Sequence, residues 1–262
     1  MTSAKDVERF VYCTHNWWLA QHGKDGQAGD SGSAKHRALG TRQEAVESEK
    51  KEYRSALNWS FRLLALTSSA TFLILELVFL TGSPEHLILL STALVMVSAS
   101  AGLLVIALVN QKRYKAHQRE AGLVPGRLLQ TDLTGHAPLL EDPAWGLSGR
   151  PDYLLQTKDG TVPVELKTGR TPPKPFASHR LQLASYLHLV QVAEGRRPTY
   201  GLLQYPDGVF RVDWTPQLET ELQGVLARLK TAKETGKADR DHDEPGRCRG
   251  CARRDACDQR LA

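Results

Sequence analysis

The stretch "VPVELKTGR", residues 162–170, places an acid and a base close together. Glu165 and Lys167 lie two residues apart in an otherwise apolar run, and side chains two apart on a strand share one face. They form either an ordinary surface ion pair or a metal ligand beside its catalytic partner. Asp152 lies on the other arm of a predicted hairpin, in which "DYLLQT" and "TVPVELKTG" flank "KDG". Two converging carboxylates repel each other unless a cation lies between them, and oxygen ligands suit Mg²⁺ or Mn²⁺.

A predicted helix follows this hairpin and carries two further polar candidates. Its sequence is "PFASHRLQLASYLHLVQVAEG", and Gln182 and Tyr186, four residues apart, share one face of it. A second hairpin ("TYGLLQY", "PDG", "VFRVDW") and an amphipathic helix ("PQLETELQGVLARLKTAKE") come next. Strands flanked by helices predict an α/β core with a mixed sheet.

Four cysteines form a possible metal or cluster site: Cys13, Cys248, Cys251 and Cys257. We expect no secretory signal at the polar N-terminus, so a C-x2-C-x5-C cluster favours metal binding over disulfides. Zinc and a [4Fe–4S] cluster both accept four thiolates, and the spacing alone does not separate them. The net charge of +5 is compatible with a polyanionic partner. Four arginines near these cysteines form a predicted phosphate-contacting surface: Arg247, Arg249, Arg253 and Arg254.

Two long apolar segments predict a transmembrane hairpin. Leu63 to Leu80 is 18 residues long with one charge, Glu76, and Leu87 to Val109 is 23 residues long with none. A bilayer core of roughly 30 Å needs about 20 apolar residues of helix. The alternative is a buried helical hairpin of a soluble domain. Glu76 is either a functional intramembrane acid or a protonated, hydrogen-bonded carboxyl group.

The charges around these segments predict the topology. Basic residues precede and follow the pair of segments, whereas the connecting "TGSPEH" contains no Lys or Arg. By the positive-inside rule, both termini and both polar parts of the chain lie in the cytoplasm, and the protein is a membrane protein with two spans. The polar segment 32–59 predicts a helix that continues directly into the first span.

The motifs together resemble the PD-(D/E)XK nuclease superfamily in its RecB-like branch. "SGSAKH" resembles the first motif of that family, "GLSGRPD" the second, "VPVELKTG" the third and "QLASY" its Q-x-x-x-Y motif. The cysteine in "VYCTHNWWL" and the C-terminal cysteine cluster are similar to the iron–sulfur branch, in particular the CRISPR-associated family-four exonucleases. The membrane hairpin, between the first and second motifs, departs from that pattern.

The resemblance implies a role for each candidate residue. His36, Asp152 and Glu165 would bind Mn²⁺ or Mg²⁺, with the Leu166 backbone carbonyl as a further ligand. Lys167 would orient or deprotonate the attacking water, or stabilise charge on the phosphate. Gln182 and Tyr186 would brace the site or contact the DNA strand, and His179 is a weaker candidate for a DNA contact. The four cysteines would hold a [4Fe–4S] cluster, with Zn²⁺ as the alternative.

The sequence thus predicts a restriction-endonuclease-like core with four parts: residues 1–60, the N-terminal part of the nuclease domain; 61–110, the transmembrane hairpin; 111–235, the nuclease core; and 236–262, the cysteine-cluster tail. The expected function is a metal-dependent DNA exonuclease at the cytoplasmic face of a membrane. Its expected partners are single-stranded DNA, the lipid bilayer and CRISPR adaptation proteins. The alternatives are a catalytically idle DNA-binding or assembly module, and a zinc-stapled membrane scaffold.

Overall fold

A computed structural model describes residues 1–23, 30–81, 86–120, 127–132 and 137–261. Some side chains within the long helices lie outside this description, and His36 is one of them. The chain divides into two units, which are described separately below. The nuclease-motif unit comprises Met1–Thr41 and Val124–Ala262, and the helical unit comprises Arg42–Leu123.

The described elements follow one another along the chain as β1 (Thr2–Ser3), α1 (Ala4–Tyr12), α2 (Thr14–Gln21), α3 (Asp30–Thr81), α4 (His86–Glu120), β2 (Arg127–Thr131), β3 (Leu140–Asp142), β4 (Leu147–Gly149), β5 (Tyr153–Thr157), β6 (Gly160–Leu166), α5 (Ala177–Glu194), β7 (Tyr200–Tyr205), β8 (Gly208–Asp213), α6 (Pro216–Thr235) and α7 (Pro245–Arg249), with a short 3-10 helix at Arg254–Ala256.

The described residues of the nuclease-motif unit form two sheets, with helices packed against them. The larger has the strand order β2-β5-β6-β7-β8, and the smaller has the order β1-β4-β3. Both predicted hairpins are present, since β5 pairs with β6 and β7 pairs with β8 in antiparallel fashion. Strands β6 and β7 are parallel, because α5 forms the crossover between them. Gly160 begins β6 with a φ of 113°, a conformation that favours glycine and allows the tight β5–β6 turn.

Helix α5 lies at the centre of the core. All residues from 181 to 190 are buried, because α5 packs against β6 and β7 and also contacts α1, α6 and the smaller sheet. A helix that is covered on all sides needs apolar residues around most of its circumference, which is why "LQLASYLHLV" has so few charges. Gly195 ends α5 in the left-handed conformation. The helix predicted from the sequence is therefore confirmed at this position.

Helix α1 begins at a capping box and packs against α5. The Ser3 side chain accepts a hydrogen bond from the Asp6 backbone N–H, and the Asp6 carboxylate accepts one from the Ser3 N–H. Ala4, Val7 and Phe10 are buried on one face of the helix. This arrangement fixes the direction in which Glu8, the residue after Val7, projects from the helix.

The helical unit contains most of α3 and all of α4. The polar segment upstream of the first predicted span does continue into it, since α3 runs unbroken from Asp30 to Thr81. The two helices contact each other near the ends that the sequence predicts to be cytoplasmic. There the Gln111 amide donates to the Tyr53 hydroxyl at 3.3 Å, and the Lys50 ammonium lies 6.0 Å from the ring centroid of Tyr114.

One segment of the described residues is long and apolar enough to cross a membrane, Leu94–Ala116, and only 11% of its most apolar window is buried. It overlaps the second predicted span but extends further toward the C-terminus. No second segment among the described residues is both as long and as apolar. The first predicted span, residues 63–80, carries Glu76 and includes side chains outside the described residues, as does the predicted turn at 82–85.

Candidate active site

The β5–β6 hairpin brings two carboxyl groups together. Tyr153 pairs with Val164, so Asp152, just before β5, faces Glu165 across the hairpin. The Leu166 backbone N–H donates to Asp152 Oδ2 at 2.6 Å, and the two carboxyl groups lie close enough to share a hydrogen bond. The predicted convergence of Asp152 and Glu165 is therefore present.

Strand alternation points Glu165 into the core rather than into solvent. Val164 and Leu166 pack into an apolar cluster on one face of the larger sheet, and Glu165 projects from the opposite face toward α5. It is 6% exposed, which argues against the ordinary surface ion pair. Burial, and then repulsion from Asp152, raise the pKa of Glu165. Burial also raises the pKa of Asp152. Such a pair binds a proton or a metal cation readily, because either relieves the repulsion.

Lys167 lies one residue beyond the end of β6 and is held by three acceptors. Its Nζ atom is 2.8 Å from Glu8 Oε1, 2.5 Å from Gln182 Oε1 and 3.2 Å from Glu165 Oε1. Burial by itself would lower the pKa of Lys167, but Glu165 and Glu8 raise it above its ordinary value. An ammonium has three N–H groups, so three acceptors occupy all of its hydrogen-bond donors. Lys167 is therefore held as a positive charge by its three acceptors.

Helix α5 supplies the amide that links these charges. Gln182 Nε2 donates to Glu165 Oε1 at 2.8 Å and contacts the Tyr186 hydroxyl at 3.3 Å, while Gln182 Oε1 accepts from Lys167. Tyr186 packs closely against Gly149 of β4, where a Cβ atom would lie 2.8 Å from the tyrosine ring. Burial raises the pKa of Tyr186 well above its ordinary value. Gln182 and Tyr186 thus brace the site from the helix side.

Glu8, on α1, is a site residue that the sequence did not reveal. Besides Lys167, its carboxylate faces His179 Nε2 at 3.4 Å. Burial would raise the pKa of Glu8, but the charge of Lys167 and its hydrogen bond lower it below its ordinary value. The only signal in the sequence was an acid directly after the buried Val7 of an amphipathic helix, and many surface helices show that pattern.

His179 connects Glu8 to the second hairpin. Its Nδ1 atom lies 2.6 Å from the Tyr205 hydroxyl. Burial, and then the charge of Lys167, lower the pKa of His179 to about 4, so the imidazole is neutral at pH 7. Because an ionised Glu8 only accepts, Nε2 carries the proton and Nδ1 accepts from Tyr205. His179 is thus engaged within the protein on both of its nitrogens.

Two of the predicted metal ligands stay predictions. Residue 36 lies on α3, but the His36 side chain is outside the described residues. Leu166 is buried at the end of β6, and its N–H binds Asp152. The structure therefore brings Asp152, Glu165, Lys167 and the α5 pair into one site, while the part played by His36 and the Leu166 carbonyl rests on the motif resemblance.

The two ends of the chain meet at the cysteines. Cys13, Cys248, Cys251 and Cys257 are all free thiols and line one small cavity. The Tyr12 hydroxyl donates to the Arg247 carbonyl at 2.7 Å, and the Arg247 guanidinium donates to the Tyr12 carbonyl at 3.1 Å, which ties α1 to α7. Four convergent thiols suit either Zn²⁺ or a [4Fe–4S] cluster.

A second set of donor atoms adjoins this cavity. Atoms of His15, Cys257 and Asp258 lie within 4.8 Å of one another. His15 Nε2 is 2.9 Å from Asp258 Oδ1, and its Nδ1 is 2.9 Å from the Ala238 carbonyl oxygen. His15 thus adds a possible nitrogen donor beside Cys257, which the cysteine spacing did not predict.

The predicted phosphate-contacting surface is wrong for one of its four arginines, Arg253. Arg253 is 6% exposed and donates to the Asn16 side-chain oxygen at 3.1 Å. Arg247 is occupied by Tyr12 and by Glu244, to which it lies 2.9 Å away. Both guanidinium groups hold residues near the cysteines in place, because Arg253 donates to the buried Asn16 side chain and Arg247 to the half-buried Tyr12 carbonyl. Arg249 is exposed, and Arg254 is half-buried.

Comparisons with known proteins agree with the motifs. Among curated proteins, none matches this chain. The crystal structure of SSO0001 is 21% identical to it over 44% of this chain and 52% of that one, with a TM-score of 0.31, too low to define the fold. The chain thus spans about half the length of that protein. A family model for the PD-(D/E)XK nuclease superfamily matches residues 1–258. Because that match covers nearly the whole sequence, the chain belongs to the PD-(D/E)XK nuclease superfamily.

Proposed function

We propose that this protein is a metal-dependent nuclease that hydrolyses phosphodiester bonds of DNA. The observation that carries the proposal is the buried convergence of Asp152 and Glu165 beside Lys167, whose Nζ is 3.2 Å from Glu165. Two carboxylates and a fixed ammonium are the groups that a phosphodiester hydrolase needs. The superfamily to which the chain belongs supports the same reaction class.

The donor set fits a divalent cation. Asp152 and Glu165 offer oxygen atoms, and burial raises the pKa of both, so a cation would replace a shared proton. His36 and the Leu166 carbonyl are the further ligands that the motif resemblance implies. Oxygen-rich sites suit Mg²⁺ and Mn²⁺, and a histidine nitrogen would favour Mn²⁺. When bound, the ion supplies an acidified water and neutralises charge on the phosphate.

The chain's own residues supply electrostatic stabilisation. Lys167 stays protonated because Glu165 and Glu8 raise its pKa. Its positive charge, in a site with little water, stabilises negative charge that develops on the scissile phosphate. Gln182 contacts both Glu165 and Lys167, so it fixes their separation. Among water orientation, proton abstraction and charge stabilisation, charge stabilisation is the role of Lys167 that this geometry favours.

The finer assignment rests on the motif resemblance. We propose an exonuclease that acts on single-stranded DNA, with a [4Fe–4S] cluster on the four cysteines that joins the chain ends. We also propose that the helical unit anchors it to a membrane with the nuclease in the cytoplasm, in CRISPR adaptation or another DNA-processing pathway. The free thiols around one cavity and the apolar segment Leu94–Ala116 support these proposals.

The central experiment measures DNA cleavage and metal binding together. We expect the purified protein to degrade single-stranded DNA with Mn²⁺ and to be inert in EDTA. Lys167→Ala should retain Mn²⁺ binding but lose cleavage, whereas Glu165→Ala should lose both. Lys158→Ala, at an exposed lysine in the β5–β6 turn, is the matched control and should cleave normally. Full activity in Glu165→Ala would refute the metal site, and DNA binding without cleavage by the unmodified protein would favour the idle binding module.

The identity of the group on the cysteines is testable by colour and metal content. Protein purified without oxygen should be brown and contain iron, because thiolate-to-iron charge transfer absorbs visible light. One zinc per chain and no iron would assign the site to Zn²⁺. In either case Cys13→Ala should destabilise the nuclease-motif unit, since loss of one ligand weakens the link between the two chain ends.

A further inference from the structure

The segment between β6 and α5 forms a rigid loop next to the candidate active site. It connects Lys167 at one end to the helix that carries Gln182 at the other. Residues 170–177 line a cavity of about 550 Å³, within the range of roughly 300–1,000 Å³ that is usual for ligand sites. The hydrogen bonds and ion pairs described above for the active site involve no side chain of this loop.

The loop presents an aromatic ring and two cations. Phe176 is 54% exposed, and Arg170 and Lys174 are exposed as well. No acid is found among the described residues that line the cavity: Arg170, Thr171, Pro172, Pro173, Lys174, Pro175, Phe176 and Ala177. A half-exposed aromatic ring beside two positive charges is suited to a polyanion that also carries flat, apolar rings.

The loop is stiff and anchored. Three of its residues are prolines, which fix their own φ and keep the preceding residues extended. The Thr171 hydroxyl oxygen accepts a hydrogen bond from the Asp207 backbone N–H at 3.3 Å, which joins the loop to the β7–β8 turn. A surface that is already ordered loses little entropy when a ligand binds.

A chain of contacts connects the exposed Phe176 ring to the ammonium of Lys167. The Phe176 and His179 rings meet edge to face with centroids 5.4 Å apart. His179 lies 3.4 Å from the Glu8 carboxylate, which in turn is 2.8 Å from Lys167 Nζ. A strand whose phosphate approached Lys167 would therefore pass close to Phe176.

We propose that the 170–177 loop is a stacking platform for an unpaired nucleobase of the substrate. The base stacks on Phe176, and Arg170 and Lys174 contact phosphates next to the scissile one. This inference rests on the proposed nuclease function and adds a specificity to it. Because a base in a duplex is already stacked on its neighbours, the platform selects single-stranded nucleic acid or frayed ends.

The test measures how tightly the protein binds a fluorescein-labelled oligothymidine in EDTA, where no cleavage is expected. The oligothymidine is about 20 nucleotides long, so that it exceeds one binding site. Cleavage of the same oligonucleotide is measured separately in Mn²⁺. We expect Phe176→Ala to bind about five- to 150-fold more weakly, the range for loss of one base–aromatic stack. Phe176→Leu, which keeps apolar bulk without a π face, should be similarly weak, and Phe176→Trp should bind as well as the unmodified protein. Val192→Ala, at an exposed apolar residue of α5, is the control and should be unchanged.

Two further measurements separate the parts of the proposal. Arg170→Gln and Lys174→Gln should each lower the slope of log affinity against log salt concentration by about 0.7, as expected for loss of one phosphate contact on a single strand. A blunt duplex should be bound equally by Phe176→Ala and the unmodified protein. Since Phe176 is exposed, its substitution should leave the unfolding temperature unchanged, which confirms that the variants fold.

The outcomes that overturn the platform are distinct from failure of the proposed function. If the unmodified protein binds and cleaves the oligonucleotide but Phe176→Ala or Phe176→Leu binds it equally well, the platform is wrong and the nuclease stands. An equal loss of single-strand and duplex affinity would likewise refute stacking of an unpaired base. If the unmodified protein neither binds nor cleaves DNA, the proposed function fails, and the platform fails with it.

Discussion

In the nuclease-motif unit, leucine and aromatic side chains fill the interior, whereas in the helical unit many side chains of the same types face outward. Leu187 and Leu203 are fully buried, while Leu73 is 65% exposed and Leu94 is 69% exposed. Among its described residues, the helical unit buries Lys50 and four small or hydroxyl-bearing residues along α3 and α4: Ser60, Thr67, Ser100 and Ala107. The two units thus differ in which side chains they bury.

The contrast follows from the surroundings that each unit requires. In water, burial of apolar surface drives folding, so large apolar residues collect inside. In lipid there is no such driving force between helices, and their contacts favour small and polar residues that allow close approach. The buried hydroxyls of Thr67 and Ser100 donate to backbone carbonyls within their own helices, at 2.9 Å in each case. Exposed large apolar side chains together with buried small and hydroxyl-bearing ones in the helical unit therefore support the proposed membrane anchor.

The largest expected effect is on partition between membrane and water. We expect the full chain to sediment with membranes and to resist extraction by carbonate, because a spanning helix buries far more apolar surface than a peripheral one. Replacement of residues 63–109 by a short Gly/Ser bridge should release a protein that remains in the supernatant and still cleaves DNA. Carbonate release of the full chain would contradict the anchor and favour a soluble helical hairpin.

A matched pair of leucines tests the comparison at the level of stability. Leu187→Ala should lower the free energy of unfolding of the nuclease-motif unit by about 2–5 kcal/mol, because it leaves a cavity in the core. Leu73→Ala, in the helical unit, should change it by less than about 0.5 kcal/mol, since the side chain has few protein neighbours to lose. Urea unfolding followed by the fluorescence of the buried Trp17 and Trp214 measures both. A similar loss from Leu73→Ala would show that the helical unit packs like a water-soluble core.

The two units also differ in the role of their buried polar groups, and a second pair of variants, at Glu8 and Thr67, tests this difference. Glu8→Gln removes one of the carboxylates around Lys167 and should slow cleavage about tenfold with little change in Mn²⁺ affinity, the scale of one charge-assisted interaction. The pKa of Lys167 falls when Glu8 is neutral, so the alkaline decline of activity should begin at lower pH. Thr67→Val in the helical unit should leave rate and pH profile unchanged. An unaltered pH profile in Glu8→Gln would show that Glu8 does not support the lysine charge.

The smallest expected effect concerns a buried pair away from the active site. Asp142 Oδ2 lies 2.7 Å from His188 Nε2, and the Trp145 ring stacks on His188 with centroids 3.7 Å apart. Burial would raise the pKa of Asp142, but the His188 hydrogen bond and the Ala144 N–H lower it below its ordinary value of 3.8. A carboxyl group with a lowered pKa stabilises the fold above its unfolded pKa, and this stabilisation disappears as pH falls through the folded value.

The measurement is the difference in unfolding free energy between the unmodified protein and Asp142→Asn from neutral pH down to about pH 3. We expect the unmodified protein to be more stable at neutral pH and the difference to shrink below about pH 4. Ser100→Ala, which removes a buried hydroxyl of the helical unit but no charge, is the matched comparison and should give a difference that does not vary with pH. A constant difference for Asp142→Asn as well would mean that Asp142 contributes through shape and not through its charge.

Much of the fold follows from local pattern. Period-two apolar runs and a Gly-containing turn predict the β5–β6 hairpin, and periodic leucines ended by Gly195 predict α5. Such signals are local, because alternation and helical period follow from backbone geometry. The order of Asp152, Glu165 and Lys167 along neighbouring elements, followed by the α5 pair, likewise predicts one shared site. The burial of Arg253 is different, since nothing in "CARRDAC" separates the inward arginine from its neighbours.

The sequence by itself determined the residue types of the site and the elements that present them, because hairpin register and helix spacing are short-range properties. Only the tertiary structure decided that Glu8 of α1 reaches Lys167, a contact between residues 159 positions apart. It also decided that Lys167 is a fully hydrogen-bonded cation, and that Cys13 meets the C-terminal cysteines in one cavity. These contacts depend on how α1 packs against α5 and on where the chain ends meet, and packing of distant segments leaves no periodic signal in a sequence.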